Sequence, residues 1–253
     1  MSLAFLFLLF AAAFTASALG GVLGMASGIF IVPILTLLFG IDIRVAVGAS
    51  LISVIVCSTA SSGPLLKTGW VNICLATMLE VATAFGALCG VFLIGIVPEQ
   101  ALYLLFTAIL GVSAWQMLGQ RATDHASTYT IERLPLGITL MYFAGVISAL
   151  LGIGSGVLKI PAMDTAMRLP IKVSSATSNF MIGVTGAAGA GAYFMRGDID
   201  TLVAAPVALG SVIGAIAGTR ILIGLHPGRL RLFFVVILVL LGIQMGLTAW
   251  GLS

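Results

Sequence analysis

The sequence predicts an all-α polytopic membrane protein made of two inverted repeats, each a broken, re-entrant helix hairpin followed by three transmembrane helices. Three observations lead there. Hydrophobic residues make up 60% of the 253 and charged residues only 8%, against about 25% charged in soluble domains, and the mean hydropathy is +1.24. The apolar runs are about 20 residues long without apolar–polar alternation, which suits membrane helices and argues against a porin-like barrel. One motif also occurs twice, as Gly24-Met25-Ala26-Ser27-Gly28-Ile29-Phe30-Ile31-Val32-Pro33 and as Gly152-Ile153-Gly154-Ser155-Gly156-Val157-Leu158-Lys159-Ile160-Pro161. Glycine, serine, glycine and proline recur in register, position 24 against 152, an offset of 128 residues.

The elements follow in order. Helix A is expected over 3–23, with a break at 24–28. Residues 1–23 lack the basic start of a signal peptide and match 129–151, so they read as structure. Short helix B, 29–40, ends before Ile41-Asp42-Ile43-Arg44, and C, 45–62, closes at Gly63-Pro64. The turn Lys67-Thr68-Gly69-Trp70 leads to D, 71–96, and the turn Pro98-Glu99-Gln100 to E, 101–119. The polar stretch 120–133, with a solvated His125, links the halves. Then come A′ 134–151, a break at 152–156, B′ 157–168, C′ 172–195, D′ 200–224 and E′ 230–250. Repeat 1 is thus 1–119 and repeat 2 134–253, within one transmembrane domain. The register also pairs Arg44 with Lys172, Ser50 with Ser178, Gly86 and Gly90 with Gly214 and Gly218, and Gln116 with Gln244. Apolar residues agree by chance in such a chain. Gly, Pro, Gln and basic positions do not, so the chain reads as an internal duplication.

Length and charge set the topology. A and B as one straight helix would run about 57 Å, far beyond a hydrocarbon core of about 30 Å, while B alone is too short to cross. If A–B is a hairpin returning to its own side, one face collects Lys67, Arg121, Arg133, Arg168, Lys172, Arg220, Arg229 and Arg231, and the other Arg44 and Arg196. If A–B crosses once, the split falls to six against four, leaving Lys159 out of both counts. The positive-inside bias favours the hairpin. Each repeat then makes three net crossings, the halves sit inverted, and both termini are expected on the periplasmic side. The net charge of +3 reflects basic segment ends rather than a nucleic-acid partner. Cys57, Cys74 and Cys89 are odd in number and lie in apolar runs, without zinc or disulfide spacing.

Breaks in both halves point to a transporter's binding site. Bare backbone at membrane depth must face protein or water. A helix N-terminus offers unpaired N–H groups and partial positive charge, glycine admits a ligand to the backbone, and serine can donate a proton. Ala26, Ser27 and Gly28 in one break and Gly154, Ser155 and Gly156 in the other are therefore the candidate anion site, against the simpler reading of close helix packing. Lys159 adds an intramembrane charge, read either as an anion ligand or as a snorkelling lysine or partner of Asp164. Ser50 and Ser178 gain weight from the repeat, and Asn179 from the cost of burying an amide. Glu80 is either a proton carrier or the partner of a neighbouring polar group. Gln116 and Gln244 suit helix–helix hydrogen bonds, and His226 an interfacial turn. No nucleophile–base pair, phosphate loop or metal cluster is present in the sequence, so neither catalysis nor a cofactor is expected.

The glycine-serine-glycine-proline motif at 152–161, its degenerate copy at 24–33 and the basic residue opening the next helix resemble the TauE/SafE, or sulfite exporter-like, family of permeases over nearly the whole chain. The first copy departs from the family's fuller glycine pattern at Met25-Ala26. The resemblance implies export of a small sulfur-containing anion, sulfite or an organosulfonate such as sulfoacetate, across a bacterial inner membrane. The partners it implies are that anion and the bilayer, with a homodimer left open. An anion channel and a non-transport membrane assembly factor are the rival readings.

Overall fold

The computed structural model describes residues 3–23, 27–94, 96–119, 131, 133–222 and 227–249. Ala26, His125 with most of the linker, His226 and the side chains of Gln116 and Asp164 lie outside the described residues. Ten α-helices make up the described chain: α1 (Leu3–Leu23), α2 (Gly28–Pro33), α3 (Ile43–Lys67), α4 (Ile73–Ile94), α5 (Glu99–Gly119), α6 (Leu134–Leu151), α7 (Gly156–Pro161), α8 (Ile171–Arg196), α9 (Thr201–Leu222) and α10 (Pro227–Ala249). A π turn follows α2 at Ile34–Leu38 and another follows α7 at Ala162–Ala166. From α2 onward every element of the second half starts 128 positions after its counterpart, 28 against 156, 43 against 171, 73 against 201 and 99 against 227. Five described helices are long and apolar enough to cross a membrane, so the protein is an all-α polytopic membrane protein.

Two sequence expectations need correction. B is not a simple helix to residue 40. Proline has no N–H to continue the hydrogen-bond ladder, and after Pro33 the helix widens into the π turn. The Thr36 hydroxyl takes up freed carbonyls, donating to Val32 O at 3.0 Å and Pro33 O at 3.2 Å. Nor does C stop at Gly63-Pro64, because α3 runs on to Lys67 with Pro64 inside it. Just before it, the Ser61 and Ser62 hydroxyls donate to the carbonyls of Cys57 and Ser58, each at 2.6 Å, the usual bond of a helical hydroxyl to its own backbone.

The repeated glycines show how the halves interlock. Gly210, Gly214 and Gly218 of α9 seat the carbonyls of Phe10, Phe14 and Ala18, so α9 runs parallel to α1. Gly86 and Gly90 of α4 seat the carbonyls of Tyr142 and Val146 of α6 in the same manner. The two sets correspond under the 128-residue register, each half lending its third long helix to the other's first. Gly183, Gly186 and Gly189 of α8 meet Ser58, Ile55 and Leu51 of α3 in descending order, so these counterparts run antiparallel. Gly242 and Gly246 of α10 meet Leu110 and Thr107 of α5, again antiparallel. Small residues are what let membrane helices approach this closely.

A Cβ at Gly214 would fall inside van der Waals contact with the Phe14 backbone. Gly214→Ala should cost about 1–3 kcal/mol through overpacking, seen as a lower thermal midpoint of the purified protein. Gly111, with open space around it, is the control, and Gly111→Ala should leave the midpoint unchanged.

Candidate functional site

Break 2 is a run of left-handed backbone. Gly152 and Gly154 have φ of +67° and +72°, and Ser155 follows at +58°. Glycine adopts this region freely, whereas serine does so only under local constraint. The Ser155 hydroxyl donates to Gly154 O at 2.7 Å, and Ser155 O accepts from the N–H groups of Leu158 and Lys159. In break 1, Ser27 is right-handed at φ −59° and its hydroxyl makes no cap to its own helix. It turns instead to Ser53 Oγ, 2.9 Å away on α3. The two copies of the motif are therefore unequal in conformation at the serine.

The breaks meet at the centre. Gly28, which opens α2, lies against the Gly152 carbonyl, close enough that a Cβ there would collide with it. That Cβ would also stand 2.7 Å from Ser50 Oγ and 3.0 Å from Ile153 Cα. The Ser50 hydroxyl donates to the same Gly152 O at 2.8 Å. So Gly28 and Ser50 from the first half are joined to the second break in one contact, with Ser27 next to Gly28 in sequence. Gly154, Ser155 and Gly156 are buried beside it in sequence, and α2 is buried along its whole length.

Lys159 is fully buried and belongs to a second polar group. Its Nζ donates to Glu80 Oε2 at 2.9 Å and to Thr185 Oγ1 at 2.6 Å, and the Thr185 hydroxyl donates to Glu80 Oε1 at 2.5 Å. Of the sequence readings, Glu80 paired with a neighbour is the one the structure shows, and that neighbour is Lys159, 79 positions away in the chain. A charge in an apolar core needs such a partner, and this one pins α7 of the second half to α4 of the first.

The remaining candidates separate. Ser178 is buried and its hydroxyl has no hydrogen-bond partner. Asn179 is buried, and its backbone carbonyl accepts from the Ser58 hydroxyl at 2.6 Å. Gln244 is exposed on α10 rather than turned to a neighbour. A serine cluster escaped notice in the sequence. Ser211 of α9 sits 2.6 Å from Ser53 Oγ, and the hydroxyls of Ser17, Ser27, Ser53 and Ser211 all lie against the Cys57 thiol. The register held a signal for it, since Ser211 falls opposite Thr83 and Cys57 opposite Thr185. Among the described residues no three His, Cys, Asp or Glu side chains group to hold a metal ion.

Paired helix breaks that meet inside an apolar helical shell, lined by hydroxyls and closed from solvent, are the layout of a multi-pass membrane transporter. The chain matches the family model described as sulfite exporter TauE/SafE over residues 9–245, and it belongs to that family. It is similar to the probable membrane transporter protein YunE of Bacillus subtilis, 24% identical over 91% of this chain and 93% of that one. It is also 28% identical to a probable membrane transporter protein of Methanocaldococcus jannaschii over 94% of each chain. A third relative, YdhB of Bacillus subtilis, is 27% identical over 79% of this chain and 83% of its own. No solved structure matches.

Proposed function

We propose that the protein exports a small sulfur-containing anion, sulfite or an organosulfonate such as sulfoacetate, across a bacterial inner membrane by alternating access. The observation that carries this reading is the contact of the two breaks, Gly28 against Gly152 with Ser50 bonded between them. It brings the start of α2, the end of α6 and the Ser50 hydroxyl to one buried point, four residues before α7 begins. An anion is the ligand such donors fit. Family membership supports the substrate class. Residues Ser27, Gly28, Ser50, Gly154, Ser155, Gly156, Ser178 and Asn179 form the wider binding region in this reading. Lys159, matched by Glu80, sets the position of α7.

The antiparallel run of α3 against α8 and α5 against α10 supports inverted repeats with re-entrant hairpins and both termini periplasmic. One repeat rocking on the other then exposes the site to each side in turn. A potential negative inside drives an anion outward with about 2.3 kcal/mol per charge per 100 mV. Proteoliposomes loaded with labelled sulfite or sulfoacetate test the proposal. Efflux should saturate with concentration and fall at least tenfold in Ser155→Ala. Absent flux, or large currents that never saturate, would overturn it in favour of an assembly factor or a channel.

A further inference from the structure

The hydroxyls of this chain behave in two ways. Many helical threonines, and Ser61 and Ser62, donate to a carbonyl three or four residues back, as Thr59, Thr77, Thr83 and Thr107 do. That bond satisfies a hydroxyl at membrane depth without a neighbour. Ser27, Ser53 and Ser211 are bonded to one another instead, at 2.9 and 2.6 Å, and come from break 1, α3 and α9. Cys57, one turn beyond Ser53, directs its thiol to Ser211 O at 3.6 Å. Ser17 of α1 is completely buried beside that thiol, and its hydroxyl makes no hydrogen bond of good geometry, as is true also of the buried Ser148 and Ser178 hydroxyls. An under-used buried hydroxyl costs free energy, and Ser17 keeps its own beside a cluster of other hydroxyls.

We propose that Ser17, Ser27, Ser53, Cys57 and Ser211 are the subsite that receives the oxygens of the substrate's sulfonate or sulfite head. The inference rests on the anion-transport reading and assigns its ligands. Donor counting supports it. Three hydroxyl protons of Ser27, Ser53 and Ser211 make two bonds among themselves, which leaves one, and Ser17 supplies another. The cluster holds no carboxylate, and a thiol is a poor ligand for a hard cation, so spare donors facing an oxyanion fit better than oxygens facing sodium. The subsite spans both halves, because α9 belongs to the second and the rest to the first. A rocking motion would therefore make and break it. Lys159 is left out of direct contact, its charge being spent on Glu80.

The test is the Km for sulfite and sulfoacetate in proteoliposomes, with anion-dependent thermal stabilisation of the purified protein beside it. Ser53→Ala and Ser211→Ala should each raise Km about tenfold or more, as expected for losing a hydrogen bond to a charge. Ser17→Ala discriminates best. It breaks no bond of the unliganded fold, so the ligand-free midpoint should stay or rise while affinity for the anion falls. Ser61→Ala, which removes only a bond within α3, should leave Km unchanged. Saturable wild-type flux with Km within twofold in all three cluster variants would overturn this subsite while leaving anion transport standing. Stabilisation by sodium in place of choline, with no effect of the anion, would overturn the anion assignment. No flux and no shift in the wild type would overturn the transport reading itself.

Discussion

Lys159→Ala should lower the stability of the purified protein by about 3–5 kcal/mol, the usual penalty for removing one partner of a buried ion pair. The reason is what stays behind. Glu80 is 7% exposed and both its oxygens are engaged, one by the lysine and one by Thr185. Without the ammonium its charge stays buried with no counter-charge and only the Thr185 hydroxyl to meet it. The fall should appear as a drop in thermal midpoint on the order of 10 °C. A double change, Lys159→Met with Glu80→Gln, removes both charges at similar volume and should recover most of the loss, since a well-packed neutral pair often matches an ion pair. A single variant as stable as the wild type would show that the pair contributes nothing. The rescued double variant then reads out transport in a stable protein, where retained flux assigns the pair to holding α7 in place.

Gly28→Ala should abolish most transport without unfolding the protein. The added Cβ meets the Gly152 carbonyl, Ser50 Oγ and Ile153 Cα together, and two of those three are backbone atoms that cannot swing aside. The breaks must part by roughly an ångström, a displacement that can cost about a hundredfold where geometry matters. Helical content should be kept, because residue 28 is only the first of α2. Gly191→Ala is the control, with nothing within 4 Å of its added carbon. Maximal efflux and the thermal midpoint are the measurements, and wild-type efflux in Gly28→Ala would remove the break contact from the mechanism.

Much of the architecture was legible in the residues because duplication and hydropathy are properties of order along the chain. The ends of α1 and α6, the starts of α2 and α7, and the starts of α4 and α5 within about two positions follow from runs of apolar residues and their punctuation. Pro64 ends a helix in isolation, yet α3 runs through it to Lys67, with Gly63 and Pro64 exposed. Glycines were read as a register mark, and the structure shows that Gly86, Gly90, Gly214 and Gly218 are seats for the carbonyls of the exchanged helix.

The site was legible in part. Ser27, Gly28 and Ser50 could be named because the repeat marks them. Lys159 could be named because a charge in an apolar run is costly, but its partner could not. Glu80 stands opposite Ala208 in the register, so the pair has no counterpart to announce it. The Ser17, Ser53, Cys57 and Ser211 cluster joins α1 and α3 to α9; the register marks Cys57 and Ser211 with polar counterparts, but no spacing along the chain records that they meet. The paired motif thus determined by itself that two breaks exist and where each begins. Only the tertiary structure decided that Gly28 rests on Gly152, that Ser155 is left-handed where Ser27 is not, and that Lys159 is claimed by Glu80. The physical reason is that periodicity governs local conformation, while which side chains converge depends on helices exchanged between halves more than a hundred residues apart.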